Sequence, residues 1–194
     1  MGTVSDTREQ IIEAGYACIA RYGVTRTSVE DVAQAAGVSR ATMYRYFANR
    51  SDLIDAVVTY EYRRFFLALY EALSGAETLE EVMERGLMEA HRRLEEHEVL
   101  QMILVNEPEV LEPAMTAESA PTLSYVADFL VPYLERHELR PGVDVIEAAD
   151  FLGRMLLSYM GAPGRWDLAD VVQVSALVRV ELLAGIVPGP ATAH

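Results

Sequence analysis

The sequence predicts an all-α fold of about nine helices, with a small three-helix module at the N-terminus and a larger helical domain after it. Three observations predict it. Apolar residues recur at helical spacing through most of the 194 residues, and no segment alternates apolar and polar between turn signals as a half-buried strand would. Hydrophobic residues make up 51% of the chain, enough to fill a sizeable core and too many for a disordered polymer. The breaks between periodic segments are glycine and proline clusters of the kind that end helices: SGAE at 74–77, RPG at 140–142 and GAPGRWD at 161–167.

The first helix is expected to open at Asp6, with Glu9 as its capping partner, and to stop at Gly23. It would bury Ile11, Ile12, Gly15, Cys18, Ile19 and Tyr22. Cys18, the sole cysteine, lies on that stripe and reads as core, with a reactive thiol as the alternative. The second helix is expected to open at Thr27, where Thr27 and Glu30 have capping-box spacing, and to bury Val29, Val32, Ala33 and Ala36. Gly37 supplies a left-handed stop, and Ser39 can cap a third helix at once. Two short helices joined so tightly are a helix-turn-helix.

The third helix lies in GVSRATMYRYF, residues 37–47. A rotation of about 100° per residue puts Arg40 and Tyr44 on one line with Ala41 and Arg45 beside them, while Met43 points to the core. The helix should end near Tyr46 so that Phe47 turns inward. The exposed side then offers guanidinium, hydroxyl, methyl and phenol groups and no carboxylate, an inventory suited to base edges and phosphates in a major groove.

Charge distribution supports that reading. The net charge is −14, yet residues 1–50 carry six arginines against five acids, so nearly all the acidity lies beyond them. There is no lysine, so every fixed positive charge is a guanidinium. A fourth helix, capped at Asn49 or Ser51 with Asp52 in its first turn, carries Leu53, Ile54, Val57, Val58, Phe65, Leu69 and Leu73. Further helical segments run through 78–96, 98–107, 119–137, 143–160 and 167–186, with breaks at Pro108 and Pro113 and a frayed tail.

The run TSVEDVAQAAGVSRATMYRYFANRSDLIDAV (27–57), preceded by a helix ending in RYG, resembles the DNA-binding domain of the TetR family of bacterial transcriptional regulators. The resemblance implies a DNA-binding domain over 1–50, a connecting helix over 51–76, a ligand-binding and dimerisation domain over 77–188, and a tail over 189–194. It places DNA contacts on Thr27, Ser28, Ser39, Arg40, Ala41, Thr42, Tyr44, Tyr46 and Arg50. Arg40 would read guanine and Ala41 a thymine methyl; Thr42, Tyr44 and Arg50 would hold phosphates. Arg45 is open between DNA and an internal ion pair.

The last two helical segments look like the family's dimerisation pair, with Ala149, Leu152, Gly153 and Leu156 on one and Val171, Val174 and Val178 on the other. The alternative is that these stripes face only their own core. A homodimer would set two recognition helices about 34–36 Å apart on a palindromic operator. The resemblance also implies a pocket for a mostly apolar effector, for which Tyr62, Phe66, Met102, Tyr125, Phe129, Met155 and Tyr159 are candidates; Met83, Met88 and Met115 belong to the same Met- and aromatic-rich stretch. Ordinary core packing explains the same residues. An effector there would tilt the long fourth helix and change the fit of the recognition helices to DNA.

No cofactor, metal or catalytic constellation stands out. His91 and His97 sit about 240° apart round a helix, and EEHE at 95–98 reads as a solvated face. No Walker loop, G-x-G-x-x-G, G-x-S-x-G or C-x-x-C is present. One cysteine, a polar N-terminus and no long apolar run suit a cytoplasmic protein without a membrane span. The expected function is a regulator, a repressor released by its effector. The alternatives are a helical ligand-binding protein that has lost DNA binding and a small helical enzyme.

Overall fold

In the computed structural model, residues 4–107, 109 and 120–188 are described. The breaks expected at Pro108 and Pro113, Met115 and the tail from residue 189 lie outside them. The described helices are α1 (Val4–Tyr22), α2 (Val29–Ala35), α3 (Arg40–Tyr46), α4 (Arg50–Ala72), α5 (Leu79–Glu96), α6 (Glu98–Asn106), α7 (Ala120–Leu134), α8 (Val145–Gly161) and α9 (Val171–Leu177). The last continues as a π-helical turn over Val178–Leu182. No strand occurs among the described residues.

The chain packs as two compact units that do not follow the expected boundaries at residues 50 and 76. One contains the residues up to Phe65 and those from His97 through α6; the other contains Phe66–Glu96 and the described residues from Ala120 on. Helix α6, expected with the C-terminal part, therefore joins the N-terminal helices, because its Val99 and Ile103 are buried in their core.

That first core is built from Ile11, Ile12, Cys18 and Ile19 of α1, Val29, Val32 and Ala33 of α2, Met43 and Phe47 around α3, and Leu53 and Val57 of α4. Burying each such aliphatic or aromatic side chain contributes about 1.5–3 kcal/mol before entropy is counted. Gly15 lets α1 approach α4: a Cβ there would lie 2.8 Å from the Val57 side chain. Tyr22, expected on the buried stripe, is exposed, as is Val58 of α4. Helix α1 also begins two residues before Asp6.

The turn between α2 and α3 follows from its residues. Gly37 has φ +63°, and the amides of Gly37 and Val38 return to the carbonyls of Gln34 and Ala33, a Schellman closure. Ser39 then caps α3, its hydroxyl accepting the Thr42 amide at 3.1 Å. Phe47 ends α3 in extended backbone and turns inward as expected. Asn49 caps α4 by accepting the Asp52 amide at 3.0 Å, while Asp52 accepts the Ala48 amide at 3.2 Å.

The capping box of α2 is not the one expected. Ser28 is the N-cap, accepting the Asp31 amide at 3.1 Å, and Asp31 accepts the Ser28 amide in return. Thr27 is 1% exposed, and its hydroxyl donates instead to the Gly23 carbonyl at 2.6 Å. Spacing alone leaves two registers open here, since Thr27–Glu30 and Ser28–Asp31 both fit.

The second core gathers Leu79, Val82, Met83 and Leu87 of α5, Leu130, Tyr133 and Leu134 of α7, Ala148, Ala149 and Leu152 of α8, and Val174, Leu177, Val178 and Leu182 of the last helix. In the π turn the Leu183 amide reaches the Val178 carbonyl at 2.8 Å. Its Glu181 carboxylate accepts the Tyr159 hydroxyl, the Trp166 indole N–H at 3.1 Å and the Arg165 guanidinium at 3.1 Å. Burial first, and then that carboxylate, push the Tyr159 phenol up to about 12. No described helix is long and apolar enough to cross a membrane.

Candidate nucleic-acid interface

Helix α3 is a short rod standing on two buried anchors, Met43 at 0% and Phe47 at 3% exposure. With those two turned inward, Ser39, Arg40, Ala41, Tyr44 and Arg45 are exposed, and Thr42 and Tyr46 are half-buried. This is the set expected from the helical rotation, now presented together. The Ser39 and Thr42 hydroxyls lie 2.9 Å apart at the N-terminal end. The Arg40 guanidinium sits 5.6 Å from the centre of the Tyr44 ring, and Arg45 sits 5.3 Å from that of Tyr46.

The face is not free of carboxylates. Helix α3 carries none, but Glu30 at the start of α2 reaches across and pairs with Arg40 at 2.8 Å. The interaction with Tyr44 and the nearby Glu30 both raise the Arg40 pKa above its ordinary value. The rotation of α3 considered by itself cannot reveal this, because the acid belongs to the neighbouring helix. Both side chains are more than half exposed, so the pair is screened and readily exchanged.

Three further candidates are placed as follows. Thr27 is buried, and its hydroxyl closes the α1–α2 loop on the Gly23 carbonyl. The Ser28 hydroxyl is committed to capping α2. Arg50 donates from Nε to the Thr27 carbonyl at 2.8 Å and from Nη2 to the Val24 carbonyl, so its guanidinium is anchored on the same loop.

Sequence reasoning missed Glu107. At the C-terminus of α6 it is 7% exposed and accepts the Val24 amide at 2.6 Å, the Thr25 amide at 3.1 Å and the Thr25 hydroxyl. No local signal marks it, because its partners lie 82 and 83 residues away. Burial pushes the Glu107 carboxyl up, but the hydrogen bonds from Thr25 and the Val24 and Thr25 amides, with Arg26 nearby, outweigh it and leave it below the ordinary carboxylate range. A carboxyl held low in the fold stabilises above its unfolded pKa of about 4.3 and loses that contribution as pH falls through the folded value. The stability gap between the protein and a Glu107→Gln variant should therefore be full at neutral pH and close below about pH 4. Urea unfolding at the two pH values measures it, and a gap indifferent to pH would make the interaction one of shape alone.

The seven effector-pocket candidates are divided between the two units. Tyr62 and Met102 belong to the first unit, and the other five to the second. There, Phe66 and Phe129 stack at 5.2 Å, and Phe129 meets Tyr133 at 5.5 Å. Met155 and Tyr159 pack against the second core, and Tyr125 is exposed. A hollow of about 490 Å³ on the first unit is lined by Arg21, Tyr22, Arg26 and Glu107 among others, and of the seven only Met102 reaches it.

The dimer candidates divide as well. Ala149, Leu152, Val174 and Val178 are each fully buried in their own chain's core. Gly153 is buried too, and a Cβ there would lie 3.5 Å from Val126. Leu156 is half-buried and Val171 is 57% exposed. The most apolar stripe of each helix faces inward, and the exposed large apolar residues are Ile146 and Phe151 on α8 with Val171, Val172 and Val180 on the last helix.

A sequence profile described as bacterial regulatory proteins, tetR family, matches residues 11–57. The transcriptional regulator TtgR of Pseudomonas putida is 42% identical over 53 residues, which are 27% of this chain and 25% of TtgR, so the chain spans about a quarter of that relative's length. The transcriptional repressor KstR2 of Mycobacterium tuberculosis is 25% identical over 178 residues, 85% of this chain and 83% of the repressor. Among solved structures, the TetR-family repressor AlkX of Dietzia superposes with a TM-score of 0.67 at 21% identity over 95% of this chain and 99% of AlkX. SmeT, the efflux-pump repressor of Stenotrophomonas maltophilia, gives 0.61 at 24% identity over 96% and 93%. The matched stretch is the one that builds the capped turn and the exposed face of α3, so over residues 11–57 the chain carries the N-terminal domain of the tetR family of bacterial regulatory proteins.

Proposed function

We propose that the protein is a homodimeric DNA-binding transcriptional regulator that represses from a palindromic operator and is released by a small, mostly apolar molecule. The observation that carries the DNA-binding part is the exposed set Ser39, Arg40, Ala41, Tyr44 and Arg45, held outward by buried Met43 and Phe47. Two guanidiniums, two hydroxyls and a methyl on and at the start of one short helix match the groups a major groove displays. Ser39, Thr42, Tyr44, Tyr46 and Arg50 serve the backbone of the duplex, and Arg40 reads a base. Arg45 joins the phosphate contacts through its ring-stacked guanidinium.

Two further features support the rest of the reading. The outward apolar residues Val172 and Val180 form a surface a second copy can cover. The half-buried rings of Phe66 and Phe129 suit an apolar effector, and SmeT has been solved in complex with triclosan. Release requires that the effector bind one conformation more tightly than the other.

Fluorescence anisotropy on a duplex taken from the DNA upstream of the protein's own gene tests the reading. Affinity should fall steeply with the logarithm of salt concentration, and absence of binding at low salt would defeat it. Arg40→Ala should weaken binding about tenfold to a hundredfold and relax preference at one base pair of each half-site. A uniform loss over all sequences would reassign Arg40 to a phosphate. Glu30→Ala removes the competing carboxylate and should tighten binding a few-fold at low salt, roughly the scale of one exposed ion pair. Weaker binding in that variant would show that Glu30 positions Arg40 instead of competing for it.

A further inference from the structure

The α1–α2 loop is held from two sides. Glu107 takes its amides at Val24 and Thr25, at 2.6 and 3.1 Å, together with the Thr25 hydroxyl. Arg50 takes its carbonyls at Thr27, at 2.8 Å, and at Val24. Val24 is thus shared, its N–H going to the acid and its C=O to the base. Gly23, with φ +86°, permits the approach: a Cβ there would sit 2.8 Å from both Glu107 carboxylate oxygens. The rest of α6 enters this unit through apolar side chains, Val99 and Ile103, so the acid at its end is the exception on that face. A buried carboxylate costs stability unless its oxygens are filled, and here both are filled by one loop. That loop in turn presents two acceptors to the guanidinium expected to touch DNA. Helix α6 follows α5, a helix of the other unit, after the single residue His97.

We propose that Glu107 is a positioning residue for DNA binding: through the backbone of residues 24–27 it sets the direction of the Arg50 guanidinium, and withdrawal of the α6 C-terminus from the loop releases that guanidinium from its phosphate. The proposal rests on the DNA-binding reading above. It adds the contact through which the grip is maintained and a residue to which family resemblance assigns no role here.

The test uses the full chain and a duplex that the unsubstituted protein selects from a random pool. Binding is measured from about 50 to 300 mM salt for the protein, Glu107→Gln, Arg50→Ala and the double variant. A glutamine keeps the shape but turns an N–H toward loop amides that need an acceptor. Glu107→Gln should weaken binding about tenfold and flatten the salt dependence by about two phosphate contacts per dimer, one for each Arg50. In the Arg50→Ala background the same substitution should cost less than about twofold. Independent, multiplying losses, or a salt slope unchanged by Glu107→Gln, would overturn the proposal and leave Glu107 a purely structural residue. Thr25→Val keeps the carboxylate and removes one donor; it carries the same cycle with Arg50→Ala if Glu107→Gln fails to fold. If the unsubstituted protein selects no duplex even at low salt, the DNA-binding reading fails first and this proposal falls with it.

Discussion

Aspartate at both Val172 and Val180 is expected to yield a folded monomer that binds its operator at least about a hundredfold more weakly than the unsubstituted protein. The two valines are 72% and 63% exposed, with half-buried Ala176 between them, while Val174 and Val178 on the other side of the same helix are wholly internal. A charge at either outward position costs the isolated chain little, since both are already in water. Across an interface between two copies each carboxylate would have to be desolvated beside its symmetry mate, which is far more costly. A dimer holds its second recognition helix at high effective concentration once the first has docked, and a monomer loses that advantage. Light scattering on the eluted protein reports the mass, and far-ultraviolet circular dichroism reports the fold. A variant that remains dimeric would place the contact surface elsewhere, with Phe151 and its neighbours on α8 as the next to substitute.

The second large effect concerns stability. Phe47→Ala should lower the unfolding free energy of the N-terminal unit by about 3–5 kcal/mol, the usual cost of removing a buried phenyl ring. Phe47 is 3% exposed, it terminates α3, its amide closes on the Met43 carbonyl at 3.0 Å, and Arg8 lies 5.4 Å from its ring centre. The ring is what holds the last turn of α3 to the unit. Domains are commonly stable by only about 5–15 kcal/mol, so such a loss leaves a fraction of the original margin. Urea unfolding followed by anisotropy on the same duplex checks both consequences. A loss below about 1 kcal/mol with full DNA binding would mean that α3 keeps its position without this anchor.

The parts of this fold that were legible in the sequence are those encoded locally. Gly37, Ser39, Met43 and Phe47 lie within eleven residues, and each acts on its own helix or turn, so their roles follow from spacing and backbone chemistry. The capping box lies one position beyond the Thr27–Glu30 spacing because two hydroxyl residues stand side by side, each with an acid three residues on. The choice between them is made by the Thr27 hydroxyl bonding back to Gly23, which periodicity does not encode. The Glu30–Arg40 pair and the Glu107 loop contacts require knowing which helix lies beside which, and no single stretch carries that information. On the last two helices apolar residues occupy more than one side, so a hydrophobic stripe could be assigned to the chain's own core or to a second copy. The structure gives Ala149, Leu152, Gly153, Val174 and Val178 to the core and leaves Val171 in solvent.

The pairing of Glu30 with Arg40 has a consequence for discrimination. Arg40, the side chain we propose reads a base, already has an anionic mate on the adjacent helix. Docking on a duplex is accordingly a swap of one partner for another, and only a base that satisfies the guanidinium better than a hydrated carboxylate does yields any gain. An ill-matched base pair would leave the internal rival in possession, so on that proposal Glu30 raises the threshold a sequence must pass to be recognised.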